Sequence, residues 1–190
     1  METAPALVAI SDFVRELRAV SEAGFTLERV QRFLREHPVM PETLEAYLVW
    51  DAQHYTRNLI DKTDLYELLA ICWEPGQTSA VHNHDGQLCW MAAPIGRLMV
   101  ENYRVLESDE ERGLCRLGPA DKVLMEPNRP SAVDPAEPVH RVYNPHEFGQ
   151  RAVSLHIYSR PFDHCLVYSP EHGKYGRIEL AYHSRYGQLV

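Results

Sequence analysis

The first part of the chain has the hydrophobic spacing of amphipathic helices. Phe13, Leu17 and Val20 fall on one face of a predicted helix, and Ser11 or Asp12 would cap its start. Core packing accounts for such a stripe, so these residues are assigned to the hydrophobic core and not to a functional site.

Two further helices are predicted before residue 50. Apolar residues over 27–34 repeat the helical spacing after Thr26, and Pro38 ends the run. Pro41 suits the first turn of a third, short helix that continues to Tyr47. Residues 1–50 are therefore predicted to be a helical N-terminal part.

From about residue 55 the pattern changes to short runs of β-branched and aromatic residues separated by Gly, Pro, Asp and Asn. The clearest runs are LYELLAICW, RLMVENYRVL, KVLMEP, RAVSLHIYS and RIELAYHS. Short, regularly spaced strands of this kind are typical of an antiparallel sandwich or barrel. The sequence therefore predicts one mainly β domain over 1–190, in which a helical cap over 1–50 covers a β-barrel over 55–190.

Composition narrows the range of partners. The chain has 190 residues, 19 basic and 27 acidic, with a net charge of −8, which argues against a nucleic-acid or anionic-membrane partner. A small anionic substrate stays compatible with this charge. No apolar run could span a bilayer and the first residues lack a basic signal region, so a cytoplasmic location is expected. The sequence leaves the oligomeric state open, with a monomer as one alternative.

The four cysteines are expected to be reduced. They are Cys72, Cys89, Cys115 and Cys165, and no two form a C-x-x-C pair, which argues against a structural zinc knuckle.

Histidine indicates a metal site. In VHNHDGQLCW, His82 and His84 are two residues apart, so on a strand they would share one face, with Asn83 on the other. Two imidazoles on one face suit a first-row transition metal.

The surrounding sequence resembles the two cupin motifs. Gly76 and Gly96 frame the histidines as G-x5-H-x-H-x4-C-x6-G, with a cysteine in place of the usual acidic ligand. VHRVYN supplies His140 and Asn144 at the spacing of the second motif, although Glu137 stands where that motif has glycine. Three neutral imidazoles would leave the full charge on a ferrous ion, which favours an anionic ligand such as a thiolate.

From about Tyr55 to its C-terminus the chain resembles the cysteine dioxygenases of the arginine type. The resemblance is carried by YTRNL, CW with HNH, HRVYN, AVSLHIYS with PFD, and HSRYG. It implies a cupin fold, that is, a double-stranded β-helix or jelly-roll barrel. It also implies Fe2+ held by His82, His84 and His140, and conversion of L-cysteine and O2 to cysteine sulfinic acid.

The resemblance assigns the substrate carboxylate to Arg57, with Tyr55 beside it. This role suits the residue type, because a guanidinium is a planar fork that can grip a carboxylate through two hydrogen bonds. Trp73 and Cys165 match family positions near the pocket, where packing accounts for them.

The resemblance also implies a polar chain and a cross-link. Ser154, His156 and Tyr158 alternate along one predicted strand, and in the family they aim the tyrosine hydroxyl at the open side of the iron. Cys89 matches the cysteine that becomes bonded through sulfur to that tyrosine. A free cysteine more often serves as a small buried hydrophobe.

One departure from the family lies close to these residues. Ser159-Arg160-Pro161 stands where vertebrate members have Ser-Pro-Pro, so a cis bond into a proline at position 160 is impossible here.

Three other functions remain as alternatives. A dioxygenase of 3-mercaptopropionate or another small thiol usually has glutamine at the position of Arg57 and no cysteine at position 89. A non-catalytic metal-binding cupin or sensor would not need the polar face that ends at Tyr158. A cupin isomerase or decarboxylase typically needs the acidic ligand that Cys89 replaces.

Overall fold

The computed structural model describes residues 5–127, 129–136 and 138–190. The chain opens with α1 (Ile10–Glu22), α2 (Leu27–Glu36) and a 3₁₀ helix (Pro41–Tyr47). The strands are β1 (Thr56–Lys62), β2 (Glu67–Trp73), β3 (Val81–His82), β4 (Cys89–Ile95), β5 (Leu98–Asp109), β6 (Leu114–Met125), β7 (Ser131–Ala132), β8 (Val139–Tyr143), β9 (Ala152–Tyr158), β10 (His164–Ser169), β11 (Lys174–Glu179), β12 (Ser184–Arg185) and β13 (Gln188–Leu189). A short 3₁₀ helix (His146–Phe148) precedes β9.

The strands form two sheets. One has the order β13-β12-β1-β2-β9-β4-β7, and the other closes on itself in the order β10-β11-β6-β5-β8-β3, because β3 pairs with β10. Apart from the parallel contact between β1 and β12, the ladders are antiparallel. The fold is therefore the predicted mainly β cupin barrel with an N-terminal helical cap.

The predicted helices are confirmed, with one correction at a cap. Thr26 caps α2 by accepting a hydrogen bond from the backbone N–H three residues later (3.2 Å). Ser11 and Asp12, however, lie inside α1 and do not cap it, because the helix begins at Ile10. The Ile10 N–H donates to Thr43 Oγ1 at 2.9 Å, so a hydroxyl from a distant segment replaces the local cap.

The predicted strands form, and the last predicted run divides. RIELAYHS contributes its first part to β11 and its end to β12. Among the described residues, no helix combines the length and the hydropathy needed to cross a membrane.

Two hydrophobic clusters lie on opposite faces of the β1-β2-β9-β4 sheet. The outer cluster joins the helices to the sheet and includes Phe13, Leu17, Val30, Leu44, Leu68 and Leu155. The inner cluster fills the barrel and includes Leu59, Leu69, Trp73, Met91, Leu98 and Val142. β9 is buried at every position, so its inward-facing side chains are shielded from bulk water.

The register of the sheet places three reactive side chains in one row. Tyr158 of β9 lies opposite Glu67 of β2 on one side and opposite Cys89 of β4 on the other. Cys89 is the first residue of β4 and lies in the same sheet as Glu67 and Tyr158.

An ion pair between the exposed Arg18 side chain and the buried Asp61 carboxylate ties α1 to the β1-β2 hairpin. Arg18 Nε and Nη2 donate to the two carboxylate oxygens of Asp61 at 3.0 and 2.6 Å, and the Tyr66 hydroxyl donates to the same carboxylate. Burial opposes the ionisation of Asp61, but these hydrogen bonds outweigh it and lower the pKa of the carboxyl group.

Asp61→Asn is therefore expected to lower the free energy of unfolding by roughly 1–2 kcal/mol at pH 7. Because the folded-state pKa is depressed, the contribution is complete above the unfolded-state pKa of about 3.9 and is lost as the pH falls through the folded-state value. Urea unfolding of both proteins between pH 7 and pH 3 measures this. A difference that stays constant down to pH 3 would contradict the assignment.

Candidate metal centre

Three histidines meet where β3 pairs with β8. His82 lies opposite His140 in the register of these strands, and His84 follows two residues after His82. One ring nitrogen from each lies within 4.8 Å of the others. His84 and His140 are buried, with exposures of 1% and 0%. The structure thus brings together the three residues that the sequence singled out as metal ligands.

The H-x-H pair does not lie entirely on a strand, which corrects one expectation. β3 ends at His82, but the next residue, Asn83, is still hydrogen-bonded to β10. Its backbone N–H donates to Leu166 O at 3.1 Å, and its side-chain oxygen accepts from Leu166 N–H at 3.0 Å. Because Asn83 is held by Leu166 and faces away from the histidine cluster, His84 faces the same way as His82.

The ring nitrogens fit a metal ion. His82 Nδ1 lies 2.9 Å from Ala80 O, so this nitrogen must carry the proton, which leaves the Nε2 lone pair available. Both ring nitrogens of His84 and His140 are buried and have no hydrogen-bond partner among the described residues. Buried polar atoms without partners are costly, and one metal ion would satisfy one nitrogen on each ring. Three imidazoles suit a divalent first-row transition metal.

The histidines are also in the protonation state that binds metal. Burial lowers the pKa of His82 to about 4. Burial, followed by the neighbouring histidines, lowers the pKa of His84 and His140 well below the ordinary value. The imidazoles are therefore neutral near pH 7, as metal binding requires.

A hydrogen-bonded chain runs along the inner face of β9. Trp73 Nε1 donates to Ser154 Oγ at 2.9 Å, Ser154 Oγ lies 2.9 Å from His156 Nε2, and His156 Nδ1 lies 3.2 Å from Tyr158 Oη. Burial lowers the pKa of His156 to about 3, so the ring carries one proton. The one-face prediction for Ser154, His156 and Tyr158 is confirmed, and Trp73 extends the chain.

The proton positions follow from the donors. An indole N–H only donates, so we assign the Ser154 hydroxyl proton to His156 Nε2 and the imidazole proton to the Nδ1 side, toward Tyr158 Oη. The phenol proton of Tyr158 is then available to a group bound at the histidines. The Tyr158 and His84 rings are neighbours, with centroids 5.4 Å apart.

Cys89 and Tyr158 are buried neighbours on adjacent strands, with exposures of 0% and 2%. Directly opposed residues of an antiparallel pair have Cβ atoms about 4.5–5.5 Å apart. Burial raises the pKa of the Cys89 thiol and, followed by the nearby cysteine, raises the pKa of Tyr158 well above its ordinary value. Both groups are therefore neutral near pH 7.

Arg57 projects from β1 and is nearly buried, with 11% of its side chain exposed. Its Nη2 lies 3.7 Å from Glu67 Oε1, and its Nε–H is buried with no hydrogen-bond partner within residues 5–127, 129–136 and 138–190. Its charge contributes to the lowered pKa of His82 and His156, so it lies within electrostatic range of the cluster. Tyr55 stacks on the Trp73 ring at a centroid distance of 4.7 Å, close to Arg57.

Several residues at the site were not singled out from the sequence. The Phe162 ring packs edge-on against Tyr158, with centroids 4.8 Å apart, and also against His84 at 6.3 Å. Glu67 and Tyr182 form a hydrogen bond next to Arg57. The sequence did contain a signal for Glu67, because it is a charged residue at the start of an otherwise apolar strand.

The segment that departs from the family pattern lies at the surface of the barrel. Arg160 is exposed, and no cis peptide bond occurs within the described residues. Cys165 is buried, in line with a packing role. Glu137, which replaces a glycine of the second motif, lies outside the described residues.

The two framing glycines have a steric explanation. Gly76 has φ +91°, and a Cβ there would lie 2.2 Å from the His146 ring. Gly96 has φ +70°, and a Cβ would lie 2.5 Å from the Arg151 carbonyl oxygen. Both positions favour glycine because of the positive φ and because of the close neighbours.

The chain is similar in sequence to known cysteine dioxygenases. The family model described as cysteine dioxygenase type I matches residues 2–171, so the similarity also covers the N-terminal helices. Cysteine dioxygenase type 1 of Rattus norvegicus is 28% identical over 182 residues, which cover 94% of this chain and 88% of that protein. The protein of the same name from Danio rerio is 24% identical over 181 residues, with the same coverage of each chain.

A cupin superfamily protein of Desulfitobacterium hafniense has a solved structure that overlaps this one with a TM-score of 0.46 and 12% identity. The overlap covers 65% of this chain and 91% of that one. The family match, in contrast, spans most of the sequence and includes all three clustered histidines. The chain belongs to the cysteine dioxygenase type I family.

Proposed function

We propose that the protein is a non-haem iron dioxygenase that converts L-cysteine and dioxygen to cysteine sulfinic acid. The observation that carries this proposal is a buried cluster of three neutral histidines with unpaired ring nitrogens, within electrostatic range of a buried arginine with an unpaired Nε–H. The first feature suits Fe2+ and the second suits the substrate carboxylate.

Each group has a distinct task in this reaction. His82, His84 and His140 would hold the iron through three nitrogens. Bound iron supplies the redox chemistry by which both atoms of dioxygen are added to the substrate sulfur, so that a thiol becomes a sulfinic acid. Arg57 binds the carboxylate and thereby fixes the position of the sulfur, with Tyr55 beside it.

Tyr158 acts as a hydrogen-bond donor toward the bound reactants. Its high pKa keeps the phenol protonated. The Tyr158 oxygen accepts the hydrogen bond from His156 Nδ1–H, so the phenol proton can be donated to a bound reactant. The Ser154 hydroxyl donates to His156 Nε2 and thereby keeps the imidazole proton on Nδ1. A polar pair with only a structural role would not need one particular tautomer.

The direct test is oxygen uptake by anaerobically iron-loaded protein with three thiols. Cysteine, 3-mercaptopropionate and cysteamine differ in the presence of the amine and the carboxylate. We expect one sulfinate for each dioxygen consumed, with cysteine the preferred thiol. Preference for 3-mercaptopropionate would favour the related thiol dioxygenase, and no uptake with any thiol would favour a metal-binding cupin without this activity.

We also expect Cys89 and Tyr158 to become covalently linked during turnover. The thiol sulfur would bond to the ring carbon next to the phenol oxygen, and dioxygen would accept the two electrons and two protons released. The linked protein would be about two hydrogens lighter and resistant to disulfide reductants, because the new bond is not a disulfide. Intact mass and peptide mapping after turnover measure this.

Cys89→Ala is the matched control, because it keeps the histidine cluster and the tyrosine. It should show no mass loss, full iron content and slower turnover. A linked mass in the wild type that persists in Cys89→Ala would assign the cross-link to other residues.

A further inference from the structure

The β1-β2 hairpin carries two buried carboxylates that point to opposite sides. Asp61 faces the helices and pairs with Arg18 and Tyr66. Glu67 lies on the opposite side, in the row of Tyr158. Each carboxylate accepts a hydrogen bond from a tyrosine and pairs with an arginine, but only the pair of Glu67 lies beside the candidate metal centre.

The contacts of Glu67 are well defined. Its side chain has no exposure, and its Oε2 accepts a hydrogen bond from the Tyr182 hydroxyl at 2.6 Å. Lys62 Nζ lies 3.5 Å from the same oxygen. The other oxygen, Oε1, makes no hydrogen bond to any described residue and lies 3.7 Å from Arg57 Nη2.

These contacts hold the Glu67 carboxylate in one position, where it can orient the Arg57 side chain. A buried carboxylate is stable only when it is paired, so it attracts the guanidinium strongly in the low-dielectric interior. The hydrogen bond from Tyr182 opposes rotation of the carboxylate toward the arginine. With Nη2 directed at Glu67, the Nε–H of Arg57 stays without a partner and is available to a ligand.

We propose that Glu67, held in place by Tyr182, is a positioning residue for Arg57 and thereby sets the selectivity for thiols that carry a carboxylate. This inference rests on the proposed function, since it requires that Arg57 binds the substrate carboxylate. Glu67 does not touch the substrate itself; it limits the conformations that the Arg57 side chain adopts.

Glu67→Gln tests this, because glutamine keeps the size and an acceptor for Tyr182 but removes the charge. The readout is the ratio of the dissociation constants of cysteamine and cysteine, measured anaerobically by calorimetry on iron-loaded protein. A misplaced binding group is costly, so we expect the ratio to fall roughly tenfold, through weaker cysteine binding alone. An unchanged or increased ratio would overturn the proposal.

Asp61→Asn is the matched control for a purely structural role. It removes a buried carboxylate from the same hairpin, with the same types of partner, but on the side of the helices. Both variants should unfold at lower urea concentration, and only Glu67→Gln should change the selectivity. An equal change of selectivity in Asp61→Asn would show that loosening the hairpin is sufficient, and would overturn the positioning role.

Arg57→Ala, measured in the same series, separates this inference from the proposed function. If Arg57→Ala leaves the ratio unchanged, the assignment of the carboxylate to Arg57 is wrong and the inference falls with it. If Arg57→Ala abolishes the selectivity while Glu67→Gln behaves as the wild type, the positioning role alone is wrong. Should Glu67→Gln fail to fold, Tyr182→Phe replaces it: a smaller fall in the ratio is expected, and no fall overturns the proposal.

Discussion

Replacing His140 with alanine is expected to remove iron binding and, with it, the oxidation of cysteine. The His140 side chain is fully buried, and both ring nitrogens lack a partner in the part of the chain that the structure describes. Loss of a group that only supports a metal ligand typically costs 10–100-fold in affinity, so loss of a ligand itself should cost roughly a hundredfold or more. Iron content after desalting and oxygen uptake with cysteine measure the two effects.

His172→Ala is the control for the histidine cluster. His172 is exposed, its ring contacts Ser169, and it is not one of the three clustered histidines. It should keep full iron content and activity. A His140→Ala protein that is folded, retains iron and oxidises cysteine at the wild-type rate would remove the three-histidine site from the proposal.

Arg57→Ala is expected to weaken cysteine binding by ten- to hundredfold. A charge-assisted contact with a carboxylate is worth about 1.5–3 kcal/mol, which corresponds to that range. Cysteamine, which lacks the carboxylate, should bind the variant and the wild type equally. The substitution also leaves the buried Glu67 carboxylate without its arginine, so the variant should unfold at lower urea concentration.

Arg57→Lys separates the contribution of the positive charge to cysteine binding from that of the planar guanidinium. Lysine keeps a positive charge near Glu67 but lacks the planar fork, so cysteine affinity should fall between those of the wild type and Arg57→Ala. Wild-type protein that binds cysteamine as tightly as cysteine would contradict the assignment of Arg57.

The parts of the fold that depend on local pattern were predictable from the sequence. The helical spacing of Phe13 and Leu17 and the strand that ends at Tyr158 both follow from the periodicity of a short segment. The clustering of His82, His84 and His140 required more than periodicity, because two distant segments had to be matched to one known pair of motifs.

The features that the sequence did not reveal depend on contacts between distant segments. The N–H of Ile10 is satisfied by Thr43, and no neighbouring residue indicates this. The role of Glu67 likewise depends on Tyr182, which comes from the far end of the chain. A local sequence pattern identifies which side chains are chemically capable, but the partner that fixes their charge or orientation is determined by the tertiary structure.

The single row formed by Glu67, Tyr158 and Cys89 has a consequence for folding. The three residues lie on three strands that are distant in sequence, and a slip of one strand by a single residue would turn its side chain to the other face of the sheet. Chains rich in such long-range pairings fold slowly, and the row exists only once all three strands have docked. Recovery of activity during refolding should therefore follow the slowest step of sheet assembly, and heat should inactivate the protein in the same transition that melts the barrel.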